Sequence, residues 1–131
     1  MIVIDASAIV AMVKDEPGSA RMGDLIAEGD PMMGAPSLLE TRMVLSKVLS
    51  DEELDLLINS LVAGGLRVVD FTPAMAEVAT VAFRTFGKGR GHPAQLNFGD
   101  CMAYAVAKVH GAPLLYKGKD FSQTDMRSAL A

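Results

Sequence analysis

The chain has 131 residues, enough for one domain whose hydrophobic core needs no disulfide or structural metal. Half of the residues are hydrophobic, yet there are only five Phe, two Tyr and no Trp, so the core is expected to be aliphatic and supplemented by the nine Met residues. A formal net charge of −4 argues against loose, charge-driven binding to nucleic acid.

The single cysteine, Cys101, excludes an intrachain disulfide and fits a reducing cytosol. Asp5 interrupts the apolar start Met1-Ile2-Val3-Ile4 almost at once, and no cationic segment precedes it. This start reads as neither a signal peptide nor a membrane span, and a cytoplasmic protein is expected.

Ile2 to Asp5 is short and β-branched and predicts a buried strand. Ala6 to Val13 predicts a short helix, stopped by Asp15-Glu16-Pro17-Gly18, and a second helix is expected over Ser19 to Glu28. Gly29-Asp30-Pro31 breaks it, and Met32 to Ala35 predicts a strand. Pro36-Ser37 opens the next helix, with Leu38, Leu39, Met43, Val44 and Val48 forming an apolar stripe at helical spacing. Ser50 and Glu53 have the spacing of a capping box, and the helix they begin runs to Gly64-Gly65.

Leu66 to Phe71 predicts a strand buried on both faces, and Thr72-Pro73 begins a helix. Gly87 to Pro93, with three glycines and several cations, predicts a loop. Phe98 to His110 reads as a helix ended by Gly111, and Pro113 to Tyr116 as a last strand. Alternating strands and helices without hairpin signals imply an α/β domain with a mainly parallel sheet flanked by helices.

In such sheets, ligands bind outside the carboxyl ends of the strands. Asp5 ends the first strand, Glu40 and Asp100 lie in the first turns of helices, and Asp120 follows the last strand. Each also has a plain reading as a cap, a surface acid or a partner of the helix dipole. Asp70 and Asp125 compete with Asp120 for a place at the rim. Carboxylates brought together from separate elements repel one another unless a cation holds them. Hard oxygen ligands without clustered His or Cys point to Mg²⁺ or Mn²⁺. Setting Asp5, Glu40, Asp100 and Asp120 aside leaves 12 acidic against 12 basic residues, so the acidity is local and does not exclude nucleic acid.

Other chemistries lack their residues. His92 and His110 are too isolated to form a ligand pair, and there is no Gly-x-Ser-x-Gly nucleophile motif. Gly87-Lys88-Gly89-Arg90-Gly91 lacks the ending and the preceding strand of a phosphate loop.

The ordered set Val3-Ile4-Asp5-Ala6-Ser7-Ala8, Leu39-Glu40-Thr41, Asn97-Phe98-Gly99-Asp100-Cys101 and Leu114-Leu115-Tyr116-Lys117-Gly118-Lys119-Asp120-Phe121 resembles PIN-domain ribonucleases, in particular the VapC toxins of bacterial toxin–antitoxin pairs. The resemblance spans the chain and implies a single PIN domain over residues 1–131. It implies a Mg²⁺- or Mn²⁺-dependent endoribonuclease that cleaves structured RNA such as tRNA or rRNA through metal-activated water. It further implies a cognate antitoxin, a homodimer and a larger toxin–antitoxin assembly.

By motif, the family's site carboxylates fall on Asp5, Glu40 and Asp100, with Asp5 and Asp100 as metal ligands and Ser7 supporting them. Many family members carry an acid or amide where this chain has Gly118, which leaves Asp120 as the fourth candidate. Arg84, Lys88, Arg90 and His92 are expected phosphate contacts, with a solvated loop as their plain reading; Lys117 and Lys119 share that ambiguity. His92-Pro93-Ala94 also fits the resemblance, with Gly91 as an extra residue. Two other readings stand beside it: a degenerate PIN binding module, and a phosphoacceptor receiver domain with Asp70 as acceptor and Lys117 as its partner.

Overall fold

Strands β1 (Ile2–Ile4), β2 (Pro31–Gly34), β3 (Arg67–Val69) and β4 (Leu114–Leu115) form one parallel sheet in the order β3-β2-β1-β4 in the computed structural model, which describes residues 1–131. Helices α1 (Ala6–Val13), α2 (Ser19–Glu28), α3 (Ala35–Leu45), α4 (Asp51–Ala63), α5 (Pro73–Phe86) and α6 (Phe98–His110) connect them. The pairings Val3 with Met32 and Val3 with Leu114 put β1 at the centre, as expected for the first strand.

Side chains alternate across a strand, so a central strand serves two cores. Val3, Met32 and Leu114 face one side, where buried residues of α5 and α6 cover them. Ile2, Ile4, Met33 and Leu115 face the other, against Ile9 of α1, Met22 of α2 and Leu54 of α4. Each such fully buried aliphatic side chain contributes about 1.5–3 kcal/mol.

Helix α6 lies deepest, and its Ala103, Ala105 and Ala107 let it approach the sheet closely. Gly34, at the end of β2, completes that fit. A Cβ there would lie 2.9 Å from Val106 Cγ2.

Helix ends follow their predicted chemistry. Ser50 and Glu53 form the reciprocal capping box at 3.1 and 3.0 Å. Thr72 caps α5, and Gly111 ends α6 with a left-handed φ of 61°.

Two expectations fail. The segment predicted as a strand buried on both faces is instead the sheet edge: within β3, Arg67 and Val68 are exposed. Its apolar residues reflect one covered face and one open side, not a central position. In α3, the inward positions are Ser37, Thr41 and Leu45, while Leu39, Met43 and Val44 are exposed. Thr41 fits inside because its hydroxyl donates to the Ser37 carbonyl at 2.7 Å. Val48 lies beyond the helix and is exposed as well.

Candidate active site

Four elements deliver acidic groups to the carboxyl rim of the sheet. Asp5 follows β1, and its backbone N–H donates to the Leu115 carbonyl of β4 at 2.9 Å. Its side chain also caps α1, with Oδ2 accepting from the Ser7 N–H at 3.0 Å. Cap and site are therefore one position. Asn97 caps α6 in a reciprocal box: Asn97 Oδ1 accepts from the Asp100 N–H at 2.8 Å, and Asp100 Oδ2 accepts from the Asn97 N–H at 3.1 Å. Asp5, Glu40 and Asp100 line one cleft of about 340 Å³ together with Ser7, Glu16, Asn97 and Lys117.

Asp120, at the start of the 3₁₀ turn Phe121–Gln123, does not line the cleft but lies near enough to raise the Asp5 and Asp100 carboxyls. Its rivals lie elsewhere. Asp125 accepts from the Tyr104 hydroxyl at 2.6 Å and pairs with Lys108 at 2.8 Å, between α5 and α6. Asp70 is exposed beyond edge strand β3 and does not line the cleft, so the receiver-domain reading loses its acceptor. Gly118 has φ 111°, a conformation open to glycine and strained for an aspartate. The turn therefore disfavours an acid at 118.

Burial and mutual repulsion raise the proton affinity of Asp5, Glu40 and Asp100. The Asp5 carboxyl is pushed above the ordinary range first by burial, which hydrogen bonds from Ser7 and Ala6 do not cancel, and also by Asp120. Glu40 is raised by burial and then by Asp5. Asp100 is pushed up to about 7, chiefly by burial, with Asp5 and Asp120 adding to it against the Asn97 hydrogen bond.

Within the cleft, Asp5 Oδ1 is buried without a hydrogen-bond partner; the other such atom in the chain, His110 Nε2, lies at the far end of α6. A buried anionic oxygen in that state calls for a cation. The donor set, all hard oxygens, fits Mg²⁺ or Mn²⁺. The acids surround the cleft instead of meeting at one point, for no three Asp, Glu, His or Cys side chains stand at ion-holding distance.

Arg84, Lys88, Arg90 and His92 do not line this cleft. His92 packs edge-on against Phe86, with centroids 5.0 Å apart, and its Nδ1 accepts from the Ala94 N–H. Arg90 lies over the Phe83 ring at 5.7 Å. Glu16 went unnoticed in the sequence because Asp15-Glu16-Pro17-Gly18 has the composition of a helix stop. Only the turn geometry brings it to the cleft.

Beside the acids runs an apolar surface on which Phe98 is 81% exposed and Leu39 and Met43 are also open. Phe71 and Met102 join it to Phe83. Such a patch on a small domain marks a contact surface.

The PIN-domain profile matches residues 2–126. The chain belongs to the PIN-domain family. This PIN domain is 41% identical over 128 residues to ribonuclease VapC30 of Mycobacterium tuberculosis, covering 95% of each chain. Its fold superposes with a TM-score of 0.75 on VapC20 of the same species, described as a sarcin–ricin loop cleaving toxin, at 18% identity and 96% coverage of each chain. VapBC2 of Rickettsia felis, solved on a promoter DNA fragment, gives a TM-score of 0.73 at 17% identity, covering 98% of this PIN domain and 96% of that chain. No helix of the PIN domain is long and apolar enough to cross a membrane.

Proposed function

We propose that this PIN domain is a divalent-metal-dependent endoribonuclease, the toxin of a toxin–antitoxin pair, acting in the cytoplasm on structured RNA. The observation that carries this reading is the buried, unpartnered Asp5 Oδ1 in a cleft that Glu40 and Asp100 also line, with Asp120 close enough to raise both Asp5 and Asp100. The likeness to ribonuclease VapC30 over nearly the whole chain supports the activity. The VapBC2 neighbour and the apolar surface around Phe98 support a protein partner, both an antitoxin and a second copy in a larger assembly.

Asp5, Glu40, Asp100 and Asp120 would hold a Mg²⁺ or Mn²⁺ ion. When bound, such an ion supplies Lewis-acid polarisation of the phosphodiester and of water. The residues prepare the place for it. Asp5 is fixed by Ser7 and by its backbone bond to β4, and Asp100 by its capping box with Asn97. Their raised proton affinities limit the negative charge that the cleft carries, and a bound cation would compete with those protons for the same oxygens. Arg84, Lys88, Arg90 and His92 do not line the cleft, so phosphate contacts from them would fall away from the carboxylates.

The test is cleavage of a panel of tRNA and rRNA fragments with Mn²⁺ and with a chelator. Metal-dependent cleavage by the wild type and its loss in Asp5→Asn and Asp100→Asn are expected. The separation of the carboxylates also favours a second reading, a degenerate binding module. That reading predicts no cleavage and no heat of binding on titration with Mn²⁺.

A further inference from the structure

Lys117 is the one basic residue lining the carboxylate cleft. Two hydrogen bonds fix its backbone relative to the deepest acid. The Lys117 N–H donates to Ser7 Oγ at 3.0 Å, and the Ser7 N–H donates to Asp5 Oδ2 at 3.0 Å. The ammonium itself reaches across to the turn between α1 and α2, where Nζ donates to the Pro17 carbonyl at 2.7 Å.

The choice of partner is the informative point. Glu16, the residue before Pro17, lines the same cleft, as do Asp5, Glu40 and Asp100, yet Lys117 forms an ion pair with none of them. Lys108 shows the contrast, with its charge matched by Asp125 at 2.8 Å. A carbonyl orients an ammonium without neutralising it. One of the three N–H donors is engaged, and the others, with the whole positive charge, remain available. Arg84, Lys88, Arg90 and His92 are absent from the cleft wall, so no other cation serves it.

We infer that Lys117 is a substrate-contacting residue of the cleft, holding an RNA backbone phosphate beside the carboxylates while the Pro17 carbonyl keeps its ammonium in place. The assignment rests on the ribonuclease reading and adds the group that draws a polyanion into an acidic site. A point-charge ammonium suits this task because it binds phosphate without demanding one fixed angle.

The experiment measures binding of a single-stranded 2′-O-methyl oligoribonucleotide, which resists cleavage, across a salt series with Mn²⁺ present. Wild type, Lys117→Met and Lys117→Arg are compared, with a thermal melt of each. Lys117→Met is expected to bind about tenfold more weakly, and its plot of log K against log salt to flatten by about 0.7, one phosphate contact on a single strand. Lys117→Arg is expected to restore most of both.

Unchanged affinity and slope in Lys117→Met, or no binding by the wild type, would overturn the assignment. So would weaker binding with an unchanged slope, which would mean that Lys117 only ties the Pro17 turn. Cleavage is scored separately on the RNA panel. A wild type that never cleaves but binds through Lys117 sinks the ribonuclease reading alone. Cleavage with unchanged KM in Lys117→Met sinks the Lys117 assignment alone.

Discussion

Gly99 of α6 lies so close to Glu40 of α3 that a Cβ at position 99 would stand 2.5 Å from Glu40 Oε2. The missing side chain is what lets a glutamate from a different element enter the cleft. Gly99→Ala should push the Glu40 carboxylate outward while leaving the helix intact, since alanine favours helix over glycine. A displacement of about 1 Å in a catalytic group can cost up to about 100-fold in rate. Cleavage by Gly99→Ala is therefore expected to fall about 10- to 100-fold in kcat with RNA affinity retained. Full activity in this variant would show that Glu40 needs no fixed place and takes no part in the chemistry.

Asp5 should trade stability against function. Its buried Oδ1 has no partner, and an unsatisfied buried polar group costs about 1–3 kcal/mol, more when charged. Asp5→Asn removes the charge and keeps an oxygen for the Ser7 N–H. In chelator at neutral pH or above, the variant is expected to melt a few degrees higher than wild type. In Mn²⁺ it should show no metal-induced rise in melting temperature and no cleavage. A variant that melts lower in chelator would mean that Asp5 serves mainly as the α1 cap.

How far the sequence reveals this arrangement depends on how local the signal is. Asp5, the Ser50–Glu53 box and the α6 start at Asn97 were legible because caps and strand ends depend on neighbours in the chain. The orientation of α3 was not. Its Leu39, Met43 and Val44 have core character but lie outward, while Thr41 is buried on an internal hydrogen bond. Periodicity counts apolar residues and cannot tell a core from a surface awaiting a partner. β3 departs from its expected place for a related reason, because an edge strand and a central one share composition over three residues. Glu16 and the Lys117–Pro17 contact depend on segments 100 residues apart, beyond any local pattern.

The three acids that the sequence could not rank now separate. Asp120 lies near enough to Asp5 and Asp100 to raise both carboxyls, whereas Asp125 is committed to Tyr104 and Lys108 and Asp70 lies past the sheet edge. Asp120→Asn is expected to reduce cleavage at least about tenfold, because it removes one of the carboxylates that would hold or orient the metal. Asp125→Asn should leave cleavage intact and lower stability by about 1 kcal/mol through its two hydrogen bonds. Parallel cleavage assays and urea melts check both. The reverse pattern, activity lost with Asp125 and kept without Asp120, would place the fourth acid wrongly.

The same cleft sets the direction of the pH response. Asp100 is pushed up to about 7 by burial and then by its acidic neighbours, and Asp5 and Glu40 are raised as well. For such groups the folded protein binds protons more tightly than the unfolded chain, whose carboxylates titrate near about pH 4. Between that range and about pH 7 the native state carries the extra protons, so its stability is highest at the acid end and falls as pH rises. Above the window the loss is complete and the curve flattens.

Melting temperature in metal-free buffer is expected to drop by several degrees across this window, and Asp100→Asn should make the drop shallower. Saturating Mn²⁺ at the alkaline end should reverse it, since a ligand at 100 times its Kd adds about 2.7 kcal/mol. Cleavage should follow the opposite course, falling below about pH 7 as protons on Asp100 compete with the metal. A wild-type melting curve that is flat with pH and superposes on that of Asp100→Asn would show that Asp100 ionises freely. The carboxylates would then be too dispersed to act as one site.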